Sequence, residues 1–196
     1  KKVGNIRTKV QKGLIKMQNN ILHKLNYVSL PNEKTIVIES YRHPEESIII
    51  LHSCFGTKIN STLKTILESL LKTRLAYEVE SASDAYRIML STKAKFKKQQ
   101  IIDELTSDFD IKEIMSNALK GKNDVIWKTF CVGKKFGFFD KNTKYIKNEI
   151  RFYFERNIDT PLVKEALREL FHETFDLDGT QKLIQEIKQN KIKIVW

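Results

Sequence analysis

Between Ile48 and Leu71 the chain reads IIILHSCFGTKINSTLKTILESLL, and this stretch most limits what the sequence can become. Ile48, Ile49, Ile50 and Leu51 form an apolar run too short for a helix and too greasy for a solvated edge, so they predict a buried strand. Phe55 and Gly56 break the run. Asn60, Ser61 and Thr62 then offer side-chain oxygens to the free amides of a new helix, and Leu63, Ile66, Leu67, Leu70 and Leu71 recur at helical spacing. A strand that turns straight into an amphipathic helix predicts a helix laid on its own sheet.

The rest of the chain arranges itself around that unit. Residues 35–39 and 47–51 predict two strands about a polar turn at 42–46, and residues 77–81 and 86–91 predict a second pair about Ala82-Ser83-Asp84. With the helix at 60–75 this makes a small α+β module over residues 32–92. Lys93 to Lys98 reads as a charged linker. Beyond it the periodicity predicts helices near 98–106, 110–120, 124–136, 143–156, 161–175 and 179–189, with Thr160 capping and Pro161 in the first turn of the fifth, and Asp178-Gly179-Thr180 separating the last two. Residues 1–31 form a basic helix and linker, since Ile6, Val10, Leu14, Met17, Ile21 and Leu25 fall at three- and four-residue steps over 5–26. The expected fold class is therefore α+β, a β-hairpin and helix module joined to a helical bundle over 93–196. The chain opens on Lys-Lys and stops on Ile-Val-Trp196, an apolar strand-like end, and reads as a segment of something longer.

The 196 residues are 41% hydrophobic, enough for a real core, and carry a formal charge of +11. That charge is uneven. No acid precedes Glu33 against seven Lys or Arg, residues 120–156 hold ten bases against four acids, and residues 157–196 hold six against seven. A proteome-wide lysine bias would not leave the last forty residues neutral, so the distribution favours a polyanion partner. No run is long and apolar enough for a membrane span. Cys54 and Cys131 have no metal or redox spacing, which fits free thiols in a reducing, cytoplasmic setting.

Candidate binding residues follow from the helix at 124–136. At ~100° per residue, Val125, Ile126, Phe130, Val132 and Phe136 fall on one broad side, and Trp127, Lys128, Cys131, Lys134 and Lys135 on the other. An indole among lysines suits a single-strand binder, the ring stacking on a base and the ammonium groups following phosphates. The pattern equally fits a helix buried on both sides, with Trp127 packed under the α+β module and lysine stems around it. Lys9, Lys12 and Lys16 lie off the apolar line of the N-terminal helix and are candidates for phosphate contact. Arg87 either binds phosphate or pairs with Asp84 to pin the hairpin, the pairing being the simpler role. His52 lacks a second histidine at ligand spacing and reads as structural, and Phe136 to Phe139 read as core with a helix-terminating glycine. Gly56-Thr57-Lys58 does not have the order of a phosphate-cradling loop, and no acidic box, GxSxG or HExxH is present.

HSCFGTKINSTL resembles the HxxFGxxVNxxL segment of the DEAD/H-associated region of Lhr-type (large helicase-related) ATP-dependent helicases. Three further segments match the same family in order: DAYRI from Asp84 to Ile88, FCVGKKFG from Phe130 to Gly137, and TPLVKEALRE from Thr160 to Glu169. Ala85 stands where the family commonly has proline, and Gly133 to Lys135 where it has alanine and arginine, so the bidentate fork of arginine is missing there. The resemblance implies an accessory region that holds single-stranded DNA or RNA beside a motor, in an ATP-dependent DNA helicase of repair. It also implies the motor and winged-helix domains of the same parent chain as partners. ATP and Mg belong to that motor, with no cofactor in these residues. The alternative is a module that docks proteins or neighbouring domains and makes no nucleic-acid contact of its own.

Overall fold

The computed structural model describes residues 30–42, 46–95, 97–120 and 122–195. Five strands and seven helices are present among them: β1 (Thr35–Arg42), β2 (Ser47–His52), α1 (Thr57–Leu75), β3 (Val79–Ser83), β4 (Arg87–Thr92), α2 (Lys98–Thr106), α3 (Ile111–Leu119), α4 (Asn123–Lys135), α5 (Lys147–Arg156), α6 (Pro161–Thr174), α7 (Leu177–Lys188) and β5 (Lys193–Val195). The expected α+β class is the observed one. The N-terminal helix expected over 5–26, with Lys9, Lys12 and Lys16, lies outside the described residues, as does Trp196.

The sheet has the order β3-β4-β2-β1-β5. Neighbours are antiparallel except β5, which returns from the end of the chain to lie parallel beside β1, Ile194 opposite Ile36. The pleat sorts the isoleucine run. Ile49 and Leu51 face inward with Ile36, Ile38, Ile88 and Leu90, all at 2% exposure or less, whereas Ile48 and Ile50 point to the other side and are only half-buried.

α1 lies across β3 and β4 on the inner face, as its sequence predicts, and α2, α3, α6 and α7 pack against it. Leu63, Ile66, Leu67 and Leu71 of α1 are fully buried, and one apolar cluster runs from the sheet through them to Met115, Leu170 and Ile184. Polar links fasten the same layers. Glu68 on α1 accepts from Ser81 on β3 and from Lys122 at the start of α4, and Arg74 donates to Glu104 of α2 at 2.8 Å.

Several element ends differ from expectation. α1 begins three residues early, at a Gly56 cap with φ 87°, a backbone that only glycine adopts without strain. Asn60 is therefore not a cap. It is fully buried, and its amide joins two chain segments described below. β3 starts at Val79 because Ala76 turns left-handed after α1 and leaves Tyr77 exposed. α5 starts at Lys147 because Asp140 builds a turn, accepting from the Asn142 amide, and Ile146 is extended just before the helix. Thr160 sits at the cap position of α6, but its hydroxyl donates back to the Asn157 carbonyl rather than capping. The break before α7 lies at Asp176, whose carboxylate accepts from the Gly179 amide; a Cβ on Gly179 would come within 2.5 Å of that carboxylate.

Candidate nucleic-acid interface

Two of the sequence segments singled out above meet at one junction. Asn60 Oδ1 accepts from the Ser53 hydroxyl at 2.8 Å, and its Nδ2 donates to the carbonyls of Ser53 and Asp84 at 2.8 and 2.9 Å. The Ser53 and Gly56 amides donate to the carbonyls of Tyr86 and Ala85. The end of β2, the start of α1 and the β3–β4 turn are thus one hydrogen-bonded knot. Within that turn Asp84 accepts from the Tyr86 amide and from both Nε and Nη2 of Arg87. The Tyr86 amide first, and the Arg87 guanidinium next, hold the Asp84 carboxyl below its usual range. Arg87 takes the pairing role. His52 Nε2 lies 3.2 Å from Glu39 Oε2, close enough for an ion pair when protonated but not aligned as a hydrogen bond. The junction is structural: it fixes the strand-to-helix turn.

At the start of α1, Lys58 donates to the His172 carbonyl at 2.9 Å. Among the described residues, no cluster of three or more His, Cys, Asp or Glu is placed to hold a metal, and no helix is long and apolar enough to cross a membrane.

The open chemistry is on α4. Val125 joins the main core, Ile126 and Phe130 pack with Ile150, Phe139 and Tyr145, and Val132 packs with Leu162 and Ala166. Those contacts leave Trp127, Cys131 and Lys134 along one less covered strip, with Lys135 exposed beside it. Trp127 is 51% exposed. Its ring is held edge-on by Tyr145 at 4.9 Å and tilted against Phe130 at 5.8 Å, so it packs within the helical part and not under the sheet. Lys134 places its ammonium 4.8 Å from the Phe130 ring centroid and donates to the Lys141 carbonyl. Lys141 and Lys144 stand exposed on the loop that brings in Tyr145, and Lys147 stands exposed at the start of α5.

Lys128 and Lys135 have a different setting from Trp127. Both lie a quarter-turn round the helix, at the seam with α6. Lys128 contacts Glu173 and lies 3.8 Å from Glu169, and Lys135 donates to both oxygens of Glu169 at 2.8 and 2.9 Å. The Glu169 hydrogen bond raises the Lys135 pKa, and the Lys128 hydrogen bond lowers that of Glu173. Helical spacing groups these lysines with Trp127; the glutamates of α6, spaced one turn apart, sort them away from it.

The segment after α4 also divides. The Gly137 amide donates to the Lys134 carbonyl and the Phe138 amide to the Gly133 carbonyl, with Gly137 at φ 70°, a helix-terminating motif that requires glycine. Phe139 folds back onto Gly133, where a Cβ would lie 2.4 Å from the ring. Phe136 and Phe138 are not core, being 61% and 56% exposed, because the reversal after the cap turns them outward.

Residues 30–196 match the DEAD/H associated family. The chain belongs to that family. It is 21% identical over 179 residues to the ATP-dependent helicase Lhr-Core of Sulfolobus acidocaldarius, an alignment covering 84% of this chain and 20% of that protein. Its fold superimposes with a TM-score of 0.70 on a solved structure of Mycobacterium smegmatis helicase Lhr bound to ssDNA and AMP-PNP. There the identity is 18%, with 85% of this chain and 22% of the helicase covered. The chain spans about a fifth of the length of each relative, and it corresponds to the DEAD/H-associated region of Lhr-type helicases.

Proposed function

We propose that this chain is the strand-holding accessory region of an Lhr-type ATP-dependent DNA helicase, gripping single-stranded nucleic acid beside a motor that lies outside these residues. The observation that carries the reading is Trp127: a large ring, half open to solvent, braced by Tyr145 and Phe130 and bordered by Lys134 and the exposed Lys141, Lys144 and Lys147. A braced indole offers a base a platform without reading its identity, and the neighbouring cations track phosphates. The binding of ssDNA by the M. smegmatis helicase supports this assignment. In the intact protein ATP and Mg2+ would act in the motor, which with the winged-helix domains would be the partner of this region, and DNA repair in the cytoplasm is the setting that fits.

The test is a tryptophan-fluorescence titration with single-stranded and duplex oligonucleotides at two salt concentrations. Single strands should bind tighter, salt should weaken them, and quenching should vanish in Trp127→Ala, with affinity down by about one stacked base, ~1–3 kcal/mol or roughly 5- to 150-fold. Loss of the melting transition in that variant would instead make Trp127 a packing residue. A second reading, docking of a protein or neighbouring domain, draws on the exposed Phe136, Phe138 and Phe152. It gains the field if neither oligonucleotide binds at low salt.

A further inference from the structure

The rings that brace Trp127 continue past it. Trp127 meets Phe130 at 5.8 Å, Phe130 meets Phe139 at 5.7 Å, and Phe139 meets Phe138 edge-on at 5.2 Å, so four rings run as one ladder from the first turns of α4 to the turn beyond its end. A tyrosine props each end: Tyr145 lies 4.9 Å from Trp127 and Tyr153 of α5 lies 5.0 Å from Phe138. The ladder is closed in the middle, where Phe130 is 4% exposed, and open at both ends, where Trp127 is 51% and Phe138 56% exposed. Backbone geometry also fixes the second end. The Phe138 amide donates to the Gly133 carbonyl at 2.8 Å, directly after Gly137 at φ 70°. That turn folds Phe139 inward and sets Phe138 outward. A single exposed phenylalanine calls for no explanation; one propped by a tyrosine at the far end of a ladder from Trp127 has the same construction as Trp127 itself.

We propose that Phe138 is a second stacking platform for the single strand that Trp127 engages, with Lys134 the phosphate contact between the two; this rests on the strand-holding reading. The Lys134 ammonium lies 4.8 Å from the centroid of Phe130, the second ring of the ladder. A cation thus stands between two open rings, the order in which a strand offers base, phosphate and base. The span also fits. Three ring-to-ring steps keep the end rings within about 17 Å of each other, no more than about five nucleotides at ~3.4 Å of stacked strand each. Charge selects a polyanion over a protein as the occupant. From Trp127 to Lys147 the chain holds six lysines and one acid, Asp140, whose carboxylate accepts from an amide of its own turn. The α6 glutamates meet only Lys128 and Lys135 of these lysines. Protein-docking patches are depleted of charge at their centre, whereas this one keeps Lys134 there. A phenyl ring has no donor or acceptor, so the platform takes bases of any identity.

Anisotropy of a labelled thymidine 12-mer tests the proposal on the whole 196-residue chain, with Trp127 quenching read alongside in a Trp196→Phe background. Phe138→Leu keeps apolar bulk and removes the stacking face; it should weaken binding about 5- to 150-fold while Trp127 is still quenched at saturation. Phe138→Tyr should stay within about twofold of the native chain, since any aromatic face serves. Unchanged affinity in Phe138→Leu would overturn the proposal and leave Phe138 to a protein or a neighbouring domain. An equal loss in Phe138→Tyr, or loss of the saturating quench in Phe138→Leu, would also overturn it, reducing Phe138 to a brace. If Phe138→Leu loses its melting transition, photocross-linking of a 5-iodouridine 12-mer to the native chain replaces it: adducts on both Trp127 and Phe138 are expected, and adducts on Trp127 alone refute the second platform. Failure of the strand-holding reading looks different, because the native chain then binds no 12-mer at low salt, and the second platform falls with it.

Discussion

Replacing Asn60 with alanine separates two roles for the residue by magnitude alone. As a helix cap, the role its sequence context predicts, Asn60 would contribute about 1 kcal/mol, and alanine would cost that much. The structure gives it more. Its side chain makes three hydrogen bonds at 2.8–2.9 Å from a fully buried position, and two of them end on backbone carbonyls that alanine leaves without a partner. The bond from the Ser53 hydroxyl is worth about 1 kcal/mol net, and each of the two carbonyls left unpaired costs about 1–3 kcal/mol, its lost bond included. The Asp84 carbonyl, nearer the surface, falls at the low end, so the sum is roughly 3–5 kcal/mol, a large part of a typical domain's 5–15 kcal/mol. Urea unfolding of Asn60→Ala, Ser53→Ala and the double variant at 25 °C measures it. Asn60→Ala should lower the midpoint with little change in slope, and the Ser53 and Asn60 effects should be non-additive because they share a bond. A loss near 1 kcal/mol, or additive effects, would refute the knot as the element that holds the strand-to-helix turn.

The ion pairs yield two further tests. Lys134→Gln should reduce the salt slope of single-strand binding by about one, while Lys135→Gln, its charge already met by Glu169, should change it less. Glu169→Gln should steepen the slope by releasing Lys135, and equal slopes in all three variants would place the seam outside the footprint. For Glu68, burial pushes the carboxyl pKa up, but the Ser81 hydrogen bond and the Lys122 and Lys72 charges outweigh it and hold the pKa below its ordinary value. A lowered folded-state pKa contributes stability above the unfolded value that is lost as pH falls through the folded one. The stability gap between wild type and Glu68→Gln should therefore be widest near neutrality and shrink as the pH falls through and below the ordinary glutamate range. A gap that stays constant in denaturant titrations across that range would show that the carboxylate's charge is not what stabilises.

What the sequence made legible was local. A run of four apolar residues, a glycine and a stripe of leucines specify β2, the turn and α1 because strand and helix periods are written in neighbouring residues. What it left open was decided by contacts far along the chain. Nothing in Ile192 to Val195 says that the strand it predicts will lie parallel to β1. Nothing in the isoleucine run says which alternate residues face α1 until β4 is placed beside it. The caps show the same limit. Thr160 and Asn60 are good cap residues by type, yet the oxygens of both are taken by other partners, because a buried side chain serves whichever donor or acceptor the fold leaves without water.

The site follows the same logic one level up. Spacing fixes the angle of Trp127, Lys128, Lys134 and Lys135 about the α4 axis, but not which neighbour fills each sector. Tyr145 and Phe130 fill the sector beside the indole and leave its other edge open, while Glu169 and Glu173 fill the sector a quarter-turn away and neutralise two of the three lysines. A signal was available for that: glutamates four apart on α6, in a segment whose acids outnumber its bases, are the natural complement of lysines seven apart on a facing helix. If the strand-holding function proposed above is right, the consequence is a grip with few free charges. Each phosphate contact steepens the salt dependence of binding, and a motor that advances along a strand must let go at every step. On the proposed reading, one braced ring bordered by a few uncompensated lysines would hold a base without holding it long, and the acidic seam on α6 would keep the remaining lysines of α4 from adding to that hold.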